Sequence, residues 1–180
     1  MPFRTFAAML LALTVLSTAC GDDDEATGTG DKGALEQYYR DLQSAIGEAS
    51  ARFQALPQIS ADEATSEEIV TDEAADFFDD MADVFADFEQ SLREIDPPEE
   101  VAELHDEGTR ATEEFVDKAR DYQAQAAQTD SFEEALALTL AFSADSFDIF
   151  TGFGEACLEL KQIAADNGVD VGLQCEAGEE

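Results

Sequence analysis

Apolar residues return at alternating steps of three and four through four long stretches of this chain, and that rhythm restricts its fold more than any other feature. From Ala34 to Leu56 the stripe is Leu35, Tyr38, Leu42, Ile46, Ala49, Phe53 and Leu56. From Ser66 to Ile95 it is Val70, Ala74, Phe77, Met81, Val84, Phe88, Leu92 and Ile95. From Glu99 to Ala127 it is Val101, Leu104, Gly108, Ala111, Phe115, Ala119, Tyr122 and Ala126. From Ser131 to Ala165 it includes Leu136, Leu140, Ser143, Phe147, Phe150, Cys157, Leu160 and Ile163. Such spacing gives an α-helix one apolar face. No stretch sustains the period of two that a half-buried strand needs, and proline is confined to positions 2, 57, 97 and 98. The expected fold is all-α. Short connections between long helices favour antiparallel neighbours, so an up-down four-helix bundle is expected over residues 34–176.

Start signals divide the stretches. Thr65-Ser66-Glu67-Glu68, Asp96-Pro97-Pro98-Glu99 and Asp130-Ser131-Phe132-Glu133 each offer a capping residue and an early acid, the pattern that satisfies the free N–H groups of a first turn. Asn167-Gly168 is a stop signal for the fourth helix.

That fourth helix is the most apolar. Ala135 to Phe142 is almost unbroken hydrocarbon, and Phe142, Phe147, Phe150 and Phe153 surround much of its circumference. Asp145, Asp148 and Glu155 interrupt it, so it is not expected to span a membrane. It is expected to be the most buried helix of the bundle. Gly152 and Gly154 would allow a bend or the close approach of a neighbour. Phe147, Phe150 and Gly154 could then line a small apolar pocket, which would make the protein a carrier of an apolar ligand; the plainer reading is core packing.

Charge excludes several functions. The 180 residues hold 43 Asp plus Glu against 9 Lys plus Arg, a net charge of −34. Nucleic acid and anionic lipid would repel such a surface. Disorder does not follow, because 13 Phe and 44% hydrophobic residues supply a core. With one His and no Trp, no site can be built from several imidazoles within one chain. His105 lies among Glu103, Asp106 and Glu107, but Ala102 stands where a Glu-x-x-His ligand pair would need Glu. It is expected to be a surface or capping residue. No nucleophile elbow, phosphate loop or dinucleotide fingerprint occurs, so no catalytic residue, metal site or cofactor is expected. Asp76, Asp79, Asp80, Asp83 and Asp87 form an acidic face on the second helix. It could dock a basic protein partner or hold a divalent cation weakly, or it could simply be solvated.

Residues 1–19 have the form of a secretory leader: Arg4, then an apolar run from Phe6 to Leu16 too short to cross a bilayer. Ser17-Thr18-Ala19-Cys20 resembles the lipobox of bacterial lipoproteins, with Ser17 where that family usually has Leu. The resemblance implies cleavage before Cys20, diacylglyceryl modification of its thiol with palmitate among the attached lipid, and an extracytoplasmic protein anchored by lipid to the bacterial cell membrane. Residues 20–33, rich in Gly and Asp, are expected to be a disordered acidic spacer, and 177–180 a disordered tail.

If Cys20 carries lipid, Cys157 and Cys175 remain as an even pair in an oxidising compartment. A helix out to Asp166 and an extended return from Val169 have comparable lengths. A disulfide tethering the tail is therefore expected, contributing ~3 kcal/mol by the chain-entropy model; two free thiols or a metal pair are the alternatives. The segment Ile95-Asp96-Pro97-Pro98-Glu99-Glu100-Val101 with His105 nearby, and the close from Cys157-Leu158-Glu159-Leu160 through Asn167-Gly168-Val169 to Cys175, look similar to uncharacterised helical lipoproteins of bacterial envelopes. That resemblance implies location and architecture and carries over no catalytic residue. A non-enzymatic protein-binding or envelope-accessory module is the expected role.

Overall fold

The computed structural model describes residues 29–57, 67–173 and 175. The leader, Cys20 and the tail 177–180 lie outside the described residues, as do Thr65 and Ser66 of the first start signal. All regular structure among the described residues is helical: α1 (Thr29–Gln54), α2 (Glu67–Glu94), α3 (Ala102–Ala126), α4 (Phe132–Asp145) and α5 (Phe147–Asp166).

Several boundaries differ from expectation. Helix α1 begins at Thr29, inside the segment 20–33 expected to be spacer. Lys32 pairs with Glu36 one turn on. Helix α3 starts at Ala102 rather than Glu99, with Val101 as its cap and no side-chain cap bond. The Pro97-Pro98 segment makes a turn instead, in which the Val101 N–H donates to the Pro98 carbonyl. The capping box of α4 is shifted by one residue. Ser131, not Asp130, accepts from the Glu134 N–H, and the Glu134 carboxylate reaches back to the Asp130 N–H. Glu134 rather than Glu133 therefore closes the box.

The fourth stretch is interrupted at Ser146. Its N–H still donates to the Phe142 carbonyl at 2.9 Å, and its own carbonyl accepts from Phe150 at 3.1 Å. The rod from α4 to α5 is thus nearly continuous. Gly152 plays no part in the interruption, since a Cβ there would meet nothing within 4 Å. The junction is held from α3. Tyr122 donates to the Asp145 carboxylate at 2.6 Å, and Lys118 donates to the Asp145 carbonyl at 2.7 Å. This bond to a carboxylate, with burial, pushes the Tyr122 hydroxyl up to about 12.

Helix α5 stops as its sequence directs. Gly168 takes φ +67°, and the Val169 and Gly168 N–H groups donate to the carbonyls of Ala164 and Ala165, which is the Schellman closure. The chain then turns back, burying Val169 and Leu173. Cys175 stands at disulfide distance from Cys157, with Cα atoms 5.6 Å apart.

The interior falls into two cores. One joins Leu35, Tyr38, Tyr39 and Leu42 of α1 to Leu92, Val101, Leu160 and Ala164, with Val169 and Leu173 of the returning tail. The other gathers Phe78, Met81, Phe115, Tyr122 and Phe142, together with alanines of α2, α3 and α4. Its rings meet mostly edge to face, Phe78 with Phe142 at 5.2 Å and Phe115 with Phe142 at 5.4 Å, the geometry that aromatic quadrupoles favour.

Candidate functional surfaces

Residues singled out from sequence fall on three different parts of the molecule. Asp76, Asp79, Asp80, Asp83 and Asp87 are all exposed along α2, while Phe78, Met81, Ala82 and Val84 between them are buried. Steps of three and four therefore separate the acids from the core as the helical period requires. Asp87 pairs with Arg52 of α1.

Phe147, Phe150 and Gly154 do not close round one space. Phe147 is 64% exposed. Phe150 is half-buried, and its ring lies 5.4 Å from that of Phe115. Gly154 is half-buried on the next turn. An open groove of about 590 Å³ lies elsewhere, along α1 and the end of α2. Tyr38, Asp41, Glu48, Glu94 and Asp96 contribute to it, and no sequence signal marked it.

His105 is buried, at 7% exposure, which corrects its expected surface position. The buried face of α3 runs through Val101, His105, Thr112 and Phe115, so its first half turns by about one residue from the all-apolar stripe. Polar side chains are accepted there because the helices satisfy them. Thr112 donates to the Gly108 carbonyl at 2.8 Å, and the Leu92 main chain lies near enough to His105 to favour its protonated form. The Tyr38 ring lies edge-on to the imidazole at 5.7 Å. Burial lowers the His105 pKa; the Leu92 main chain and the nearby Asp106 charge oppose that shift. Burial also raises Tyr38, and pushes Tyr39 up to about 12. Tyr39 donates to the Leu160 carbonyl. That bond ties α1 to α5 across the core.

No three His, Cys, Asp or Glu side chains among the described residues stand in an arrangement that would hold a metal ion. Ser146 is fully buried, and its hydroxyl has no hydrogen-bond partner.

The largest departure concerns the rod of α4 and α5. Expected to be the most buried helix, it is the opposite. Over Glu133–Asp166 an 18-residue stretch reaches a mean hydropathy of 1.2, yet only 11% of that stretch is buried. By length and composition alone it is the one helical run among the described residues apolar enough to cross a membrane. Ala135, Phe142, Ser146, Leu160 and Ala164 face the cores. Leu140 and Leu158 are 54% and 43% exposed on other turns. A helix apolar all round predicts burial only where neighbours exist to cover every side. Here α2 and α3 pack along each other, and the rod covers them from one side.

Comparison with protein-family models, with curated proteins and with solved structures gives no match.

Proposed function

We propose that this protein is a lipid-anchored, extracytoplasmic lipoprotein of the bacterial cell envelope, built as an antiparallel up-down bundle, and that it acts without catalysis by binding another protein. The leader and Cys20 support the anchor. Pairing of Phe85 with Phe115 and of Phe78 with Tyr122 supports antiparallel neighbours, because the residue number falls on one helix as it rises on the other. The proximity of Cys157 and Cys175 and the burial of Leu173 support a disulfide that tethers the tail.

One observation carries the binding role: the exposed apolar side of the α4–α5 rod, with Leu140, Phe147 and Leu158 standing in water. Soluble surfaces scatter single apolar residues, whereas an aligned set marks a contact surface. Two measurements test the proposal. Mass spectrometry of the N-terminal peptide should find Cys20 acylated, and an unmodified Cys20 would remove the anchor. A benzophenone side chain at position 147, irradiated in intact envelopes, should form an adduct with a protein chain. Absence of any protein adduct would remove the binding role.

A further inference from the structure

We infer that the exposed stripe of α4 and α5 receives a basic amphipathic helix of a partner protein. This rests on the binding role above and adds the chemistry of the occupant.

The stripe consists of Leu140, Ala144, Phe147, Thr151, Gly154 and Leu158, each exposed or half-buried. Their steps alternate between four and three, the repeat that keeps a seam facing one neighbouring helix. Large side chains at 140, 147 and 158 are separated by small ones at 144, 151 and 154. The seam therefore offers both knobs and hollows, as helix-on-helix packing requires. Because the main-chain bonds at Ser146 persist, the two halves of the seam stay in line.

Charge selects the occupant. Asp148, Glu155 and Glu159 are all exposed beside the seam, while the Asp145 carboxylate is turned to Tyr122 of α3. Asp148 and Glu155 stand four residues after Ala144 and Thr151, and Glu159 directly follows Leu158. On the helical wheel these positions edge the same long side of the stripe. Lys161 is the only base in residues 132–166. A second copy of the chain would bring another carboxylate row, and an anionic lipid surface would meet the same repulsion. A helix whose apolar face is edged by Lys or Arg meets hydrocarbon with hydrocarbon and carboxylate with cation.

The test uses the full mature chain and two synthetic 18-residue helices. They share a Leu/Ala seam and differ in carrying Lys or Glu along its edges. The Lys helix should bind and the Glu helix should not. Phe147→Asp is the decisive variant. It adds a negative charge, so simple attraction between acidic protein and basic peptide predicts tighter binding. A seam predicts at least tenfold weaker binding. Leu158→Asp should act in the same direction, and circular dichroism checks that both variants fold. Asp148→Asn with Glu155→Gln should weaken binding and flatten its salt dependence. Binding unchanged or tightened by Phe147→Asp would overturn the inference. So would self-association abolished by Phe147→Asp, or equal binding of the wild type to phosphatidylglycerol vesicles. A protein adduct at position 147 alongside failure of the Lys helix would keep the binding role and reject a basic occupant.

Discussion

The two cores hold their helices by different means. In the core around Phe78, Phe115 and Phe142, the contacts are ring on ring, and Phe78 and Phe115 have no exposed surface. In the core around Tyr39, Val101 and Leu173, apolar packing is threaded with polar ties. Tyr39 bonds the Leu160 carbonyl, His105 is buried with the Tyr38 ring edge-on to it, and Cys157 meets Cys175. Aromatic packing depends on area and shape, and in that core the one tie to a titratable group is the Tyr122 bond to the Asp145 carboxylate. The other core holds a buried imidazole, His105, and a sulfur pair. Solution conditions therefore reach the first core at its edge and the second within its packing.

Three experiments would break or sharpen this contrast. The largest effect should come from Phe115→Ala, which empties a site touched by Phe85, Phe142 and Phe150. A loss of ~3–5 kcal/mol is expected in urea unfolding, at any pH and with or without reductant. The next should come from Cys157→Ser with Cys175→Ser. If the two sulfurs are bridged as proposed, across 18 residues of sequence separation, the loss should cost ~2–4 kcal/mol. Amide exchange should rise at Val169 and Leu173 while Phe78 and Phe115 stay protected. A uniform rise would mean that the cores are not separate.

The smallest effect should come from acid. His105 has a lowered pKa in the folded protein, so the unfolded chain takes up its proton first as pH falls. Stability is therefore expected to be whole above the ordinary His range and to decline as pH drops through it towards the lowered value. The slope cannot exceed one proton, ~1.4 kcal/mol per pH unit. Comparing the wild-type slope with that of His105→Gln cancels the carboxylates common to both. Equal slopes would dismiss His105 as the acid-sensitive group.

Much of the architecture is local and could be read from the chain. The stripes, the Gly168 stop and the acid row of α2 all follow from spacing within one helix. What could not be read depends on neighbours. His105 looked like a surface or capping residue because it lies a single helical turn after Pro97 and Pro98. It is buried because Val101 is tucked in after the prolines and the Leu92 main chain lies near it. Leu140 and Phe147 looked like core because they are apolar, and they are exposed because the far side of the rod meets no helix among the described residues. Ser131 and Glu134 lay within one residue of the expected box, since two capping candidates stood side by side. Phe147, expected to line an apolar pocket, turns outward for the same reason.

The return of the tail has a kinetic consequence. Helices α2 and α3 are adjacent in sequence, so their contacts can form as soon as both have been made. The core between Leu35 and Leu173 joins almost the two ends of the described chain, and contacts of such separation form slowly. A chain made from its N-terminus must hold Tyr38, Tyr39 and Val101 uncovered until Val169 and Leu173 arrive. If the protein is exported as proposed, the Cys157 and Cys175 thiols meet an oxidant at the same stage. Closing this end of the molecule therefore waits on the segment that follows α5.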